Sequence, residues 1–153
     1  QVAESYHQAQ NLLSLGRGYQ YPIALEGALK LKEISYVHAE GYAGGEMKHG
    51  PLALIDENFP TVAIALPGRD QKKMLSNIQE IRTRRGPTIV LAESGDEAAH
   101  AVADAAIEIP PVIEPLAPIL AAIPLQLFAY HMGVRRGCDV DRPRNLAKSV
   151  TTD

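Results

Sequence analysis

"TVAIALPGRDQKKMLSNIQEIRTRRGPTIVLAE", residues 61–93, decides the fold class. Its two ends, TVAIAL (61–66) and PTIVLAE (87–93), are continuous apolar runs rich in β-branched residues, the pattern of strands buried on both faces of a parallel sheet. Between them Met74, Leu75, Ile78 and Ile81 form one narrow stripe at helical spacing, with charge on the other faces. That is a helix lying on a sheet with its back to water. A strand, a helix and a second strand of this kind make a βαβ unit.

The pattern extends in both directions. Upstream, residues 1–9 suggest a short helix and NLLSLG (11–16) a buried strand, after which Gly16-Arg17-Gly18 turns the chain into another helix. Downstream, ESGDEAAHAVADAAIEIP (93–110) offers Ser94 as a helix N-cap with Glu97 three residues on, a short helix, and a weak strand around Ala106–Ile109. APILAAIPLQLFAYHMGV (117–134) is the longest apolar run. Pro118, Pro124, Gln126 and His131 interrupt it, which suits a core helix better than a membrane span. Pro124 lacks an N–H, so the carbonyl of Leu120 loses its helical partner and a bend is expected there. The whole reads as one doubly wound α/β domain with a mainly parallel sheet covered on both faces.

Composition narrows the function. The 153 residues suffice for one compact domain, and 46% hydrophobic with 22% charged residues are typical of a globular protein. A net charge of −3 argues against nucleic acid, and Arg82, Arg84 and Arg85, with no aromatic residues between them, read as a solvated helix end. Cys138 is the only cysteine, which excludes an internal disulfide and a thiolate metal cage and suits a reducing cytoplasm. No basic-then-apolar leader opens the sequence.

The helix ALEGALKLKEISYVH (24–38) carries an anomaly. At 100° per residue, Glu26, Lys30 and Glu33 fall within a sector of roughly 60°. Ile23, Ile34 and Val37 flank this stripe on one side and Leu29 on the other, while Ala24, Ala28 and Leu31 fill much of the remaining wheel. A helix apolar almost all round is normally buried, so the charges are expected inside the protein or along a cleft. The alternative is an ordinary ion pair on a solvated face. The preceding LGRGYQYP (15–22) sits where doubly wound sheets bind ligands; it is either a phosphate cradle or a plain strand-to-helix turn.

Two further segments contain reactive side chains. HAEGYAGGEMKHGPLALI (38–55) reads as a glycine-rich loop with His49 next to Gly50-Pro51, open to a catalytic role or simple solvent exposure. The tail GCDVDRPRNLAKSVTTD (137–153) has no periodicity and reads as a floppy terminus. It nevertheless holds Lys148 between Ala147 and Ser149. A lysine can form a Schiff base with a carbonyl substrate when burial or a neighbouring cation such as Arg144 lowers its pKa.

Residues 15–55, together with PLQLFAYH and the terminal DVDRPRNLAKSVT, closely resemble the second half of the isomerase domain in the glucosamine-6-phosphate synthase family, the glutamine:fructose-6-phosphate amidotransferases. The resemblance covers essentially the whole chain and is most specific in residues 15–55 and the last fifteen. It implies a three-layer αβα sugar isomerase (SIS) domain with about five strands over residues 1–136 and a catalytic tail over 137–153. Lys148 then matches the lysine that forms an imine with C2 of open-chain fructose 6-phosphate, and Glu33 the carboxylate that moves a proton between C1 and C2. His49 matches a histidine that assists ring opening and reaches the site from the neighbouring subunit of a homodimer. Lys30 stands beside the carboxylate, Glu26 continues the stripe, and Glu26, Ala147 and Arg144 are expected to contact the sugar. The tail is expected to close over the substrate. The resemblance implies no cofactor, metal, nucleic acid or membrane partner.

Family members also carry a glutaminase domain with an N-terminal cysteine nucleophile, and a first SIS half that grips the sugar phosphate; neither has a counterpart in these residues. The chain therefore reads as a fragment with little activity alone. A phosphosugar-sensing SIS module and a SIS-type sugar-phosphate deaminase remain as alternatives.

Overall fold

The computed structural model describes residues 1–146. Five parallel strands form one sheet: β1 (Asn11–Gly16), β2 (His38–Ala43), β3 (Thr61–Ile64), β4 (Thr88–Glu93) and β5 (Ala105–Ile109), in the order β2-β1-β3-β4-β5. The register is continuous, with Leu13 opposite both Glu40 and Thr61, and Val62 opposite Ile89. This is the order of a doubly wound sheet whose direction of winding reverses between β1 and β3. Five helices complete the fold: α1 (Val2–Tyr6), α2 (Tyr21–Ser35), α3 (Gln71–Arg82), α4 (Glu97–His100) and α5 (Ala117–Arg135).

Alternation along the strands divides the interior into two cores. Leu12, Val62, Ile64, Ile89 and Leu91 point to the layer of α1, α2 and α5. Leu13, Leu15, Ala63, Val90 and Ala92 point to the layer of α3 and α4. Because both faces are covered, apolar residues follow one another without alternation in β3 and β4, while β1 carries the single buried polar residue Ser14 within its run. The α3 stripe reaches this second core through Met74, Ile78 and Ile81, each at most 1% exposed. α5 is long and apolar enough to cross a membrane by length and composition, but it packs along α2 and buries Ala121, Leu125, Phe128, Ala129 and Met132 in the first core. It runs uninterrupted through Pro124.

Four local readings change. The helix expected over 24–38 ends at Ser35, because Tyr36 turns left-handed (φ 58°, ψ 21°) and releases the chain into β2. That strand occupies the start of the segment read as a loop; its glycines hide a strand whose one buried apolar side chain is Ala39, with Tyr42 packed partly buried against the other core. Asp96, rather than Ser94, caps α4 by accepting from the Ala99 N–H at 3.1 Å, while the Ser94 hydroxyl donates to the Ile109 carbonyl. Residues 137–146 are also tied down: the Cys138 N–H bonds the Gly133 carbonyl, and the Arg144 N–H bonds the Tyr36 hydroxyl at 2.9 Å.

Candidate functional site

The glycine turn at the carboxyl end of β1 is closed by its own side chains. Gly16 serves a tight approach: a Cβ there would stand 2.1 Å from the Gln20 carbonyl oxygen. Arg17 is turned aside to donate from Nε to Asn77 Oδ1 at 3.0 Å. The remaining space between β1 and β3 is about 20 Å³, and Asp70 and Glu114 border it. Arg17 also lines it, so two carboxylates face one guanidinium and the lining carries no excess of positive charge. The close approach at Gly16 accounts for the turn as a strand-to-helix reversal.

The charged stripe on α2 is assembled as its spacing predicts. Lys30 Nζ donates to Glu33 Oε2 at 2.7 Å and lies 3.9 Å from Glu26 Oε1. The helix is less buried than its composition suggests: Leu25 and Leu29 are 42% and 41% exposed, and the three charged side chains lie between 28% and 35% exposed. They form a half-buried ridge facing outward, because the opposite side of α2, with Ala24, Gly27, Ala28 and Leu31, is taken up by the sheet and α5. The hydrogen bond to Glu33 holds the Lys30 pKa above its ordinary value, against the opposing effect of burial and with help from the charges of Glu33 and Glu26. Lys30 is thus a fixed cation that orients Glu33, whose other oxygen has no intramolecular partner among the described residues.

The first residues of the tail reach this ridge. Arg144 places its guanidinium 4.1 Å from the centre of the Tyr36 ring. Glu33, Tyr36, Arg144, Lys32, Asn145 and Leu146 line one open hollow of about 260 Å³. Glu26, Lys30, Glu33 and Arg144 therefore share one region, whereas Ala147 and Lys148 lie outside the described residues.

His49 is placed elsewhere. It ends a short 3₁₀ turn, Met47–His49, whose Met47 is buried in the core on the α3 side and whose Lys48 pairs with Glu80 of α3 at 2.9 Å. His49 is exposed, with Nδ1 2.7 Å from Glu46 Oε2. Within one chain it belongs to the opposite layer from Glu33. Sequence reasoning missed Tyr36, which became visible only once the helix end and the tail contact were located.

The family model for the SIS domain matches residues 5–135. A glutamine–fructose-6-phosphate aminotransferase [isomerizing] of Bacteroides thetaiotaomicron is 55% identical over 100% of this chain, which covers 25% of that relative. An enzyme of the same name from Thermus thermophilus is 58% identical over 99% of the chain, again 25% of its length. The chain thus spans about a quarter of the length of these curated relatives. Among solved structures, the C-terminal domain of glucosamine-fructose-6-phosphate aminotransferase from Francisella tularensis superposes with a TM-score of 0.86 at 43% identity, covering 92% of this chain and 40% of that one.

Proposed function

The chain belongs to the SIS domain family, and from that premise we propose that it is the second SIS half of an enzyme converting fructose 6-phosphate and glutamine to glucosamine 6-phosphate and glutamate. The observation that carries this reading is identity of 55–58%, over essentially the full chain, to aminotransferases of that name. It also favours this reading over a phosphosugar sensor or a deaminating enzyme.

Residues 1–136 form the SIS subdomain and 137–153 the catalytic tail. Lys148 attacks C2 of the open-chain ketose, and the imine forms with loss of water; ammonia from glutamine then exchanges onto C2 in place of the lysine nitrogen. Glu33 removes a proton from C1 and returns one to C2, leaving the aldehyde at C1 and the amine at C2. Lys30 holds that carboxylate in position, as its 2.7 Å contact supports. Glu26, Arg144 and Ala147 contact the sugar, and His49 assists ring opening. Since His49 and Glu33 lie in opposite layers of one chain, His49 would serve the site of a second subunit in a homodimer. The upstream SIS and glutaminase portions would complete the enzyme, which would be cytoplasmic. An exposed apolar row on α5, formed by Ile119, Ile123, Leu127, Tyr130 and Val134, offers a surface for the rest of the protein to cover.

Supplying the upstream half of a relative as a separate polypeptide tests the assignment. Isomerisation of fructose 6-phosphate to glucose 6-phosphate is expected from the mixture, falling by about 10²–10⁴-fold in Glu33→Gln. Equal rates for Glu33→Gln and the unchanged chain would overturn it.

A further inference from the structure

We propose that the hollow between the carboxyl ends of α2 and α5 binds a small phosphorylated anion. It adjoins the hollow at Glu33, with which it shares Tyr36 and Arg144, but requires neither the imine nor the sugar.

Four stretches of chain meet there: the turn after α1, the end of α2, the end of α5 and the segment beyond it. The space between them is about 620 Å³, bordered by Arg135, Arg136 and Arg144, and no carboxylate stands on its lining among the described residues. Only Arg135 forms an ion pair among those residues, with Glu4 Oε1 at 3.2 Å, and both side chains are about half exposed. Such a pair holds weakly. Arg136 donates from Nη1 alone, to the carbonyls of His7 at 2.6 Å and Ala9 at 3.2 Å, which leaves its Nη2 and Nε without an acceptor among the described residues. Arg144 lays its guanidinium 4.1 Å from the centre of the Tyr36 ring, a contact that uses the face of the group and none of its N–H donors.

The ordinary duty of arginines at helix ends is to offset the terminal carbonyls. At α5 the backbone already does this: Met132 and Gly133 accept the Arg136 N–H, Gly133 also accepts from Cys138, and Val134 accepts from Gly137 at 3.0 Å. At the end of α2 the Ser35 hydroxyl donates back to the Leu31 carbonyl at 2.6 Å. The hollow is left with planar cationic donors in excess and no acid to match them. A guanidinium meets phosphoryl oxygens with two parallel N–H bonds, and it is less strongly hydrated than an ammonium, so phosphate is the chemistry this surface fits. Because Arg144 borders both hollows, an anion here would also fix a side chain of the α2 ridge.

Calorimetric titration of the chain with inorganic pyrophosphate, at an ionic strength held constant with potassium chloride, tests the site. One saturable site is expected, binding glycerol 1-phosphate, an ester of lower charge, more weakly. Tighter binding of the ester would support the site equally and make an ester, rather than a free anion, its occupant. Arg144→Gln is expected to weaken pyrophosphate by about tenfold or more, the loss of a charged hydrogen-bonding partner. Arg136→Lys, which keeps a donor for the carbonyls of His7 and Ala9, is expected to weaken it by a similar factor. Arg84→Gln makes the same change of charge at an exposed arginine just past α3 and should leave the affinity within about twofold. No saturable binding of either anion to the unchanged chain, or equal affinity in Arg144→Gln and Arg84→Gln, would overturn the proposal.

Discussion

Leu125→Ala and Leu127→Ala, two residues apart on α5, should behave as opposites. Leu125 is 3% exposed and lies over Gly27 of α2, where its Cδ1 is 3.1 Å from the point a Cβ would occupy. The facing position is glycine backbone, which has no side chain of its own to fill the space that truncation leaves. The loss should then lie in the upper part of the range for such substitutions, about 3–5 kcal/mol. For a domain of this size each kcal/mol shifts the melting temperature by about 2–4 °C, giving a fall of roughly 6–20 °C. Leu127 is 53% exposed, and its truncation should change stability by less than about 0.5 kcal/mol. Urea unfolding at two protein concentrations checks both, with an unchanged m-value showing that the same surface is exposed. A Leu125→Ala loss below about 1 kcal/mol, or an equal concentration-independent loss in Leu127→Ala, would refute the assigned faces of α5.

Further tests concern a cap, a charge and a histidine. Asp96→Ala should cost about 0.5–2 kcal/mol by removing the acceptor for the Ala99 N–H, while Ser94→Ala stays well below that; thermal unfolding separates them. Lys30 has a folded-state pKa above its ordinary 10.5, so its ion pair contributes fully below that value and is lost as pH rises through the folded pKa. The stability gap between the unchanged chain and Lys30→Gln should therefore be constant up to about pH 10 and shrink above it, and a gap that grows there would contradict the pairing. His49→Ala should leave the unfolding curve of this chain unmoved, since the ring is exposed and bonded to Glu46 alone among described residues.

Continuous β-branched runs and a narrow stripe made β3, α3 and β4 legible, because both faces of the sheet are covered and little else satisfies that pattern. The Glu26, Lys30 and Glu33 stripe was legible from spacing for the same reason: helical geometry alone brings those side chains together. β2 was not, since an edge strand with glycine and exposed polar residues contributes little to either core. The depth of the stripe was misjudged because composition shows how apolar a helix is, and not how many of its sides have neighbours; Leu25 and Leu29 show the difference. The tail contact lay beyond sequence reasoning altogether. It depends on a left-handed Tyr36 meeting a residue 108 positions away, a pairing that no local period encodes.

Borohydride trapping with fructose 6-phosphate tests the proposed imine chemistry at Lys148 most directly. The chain is reduced with and without the upstream SIS half of a relative, and peptides are mapped by mass with Lys148→Ala as control. A sugar adduct on Lys148, gained or increased when the upstream half is present and absent from Lys148→Ala, is the expected result. No adduct on Lys148 under either condition would contradict the claim.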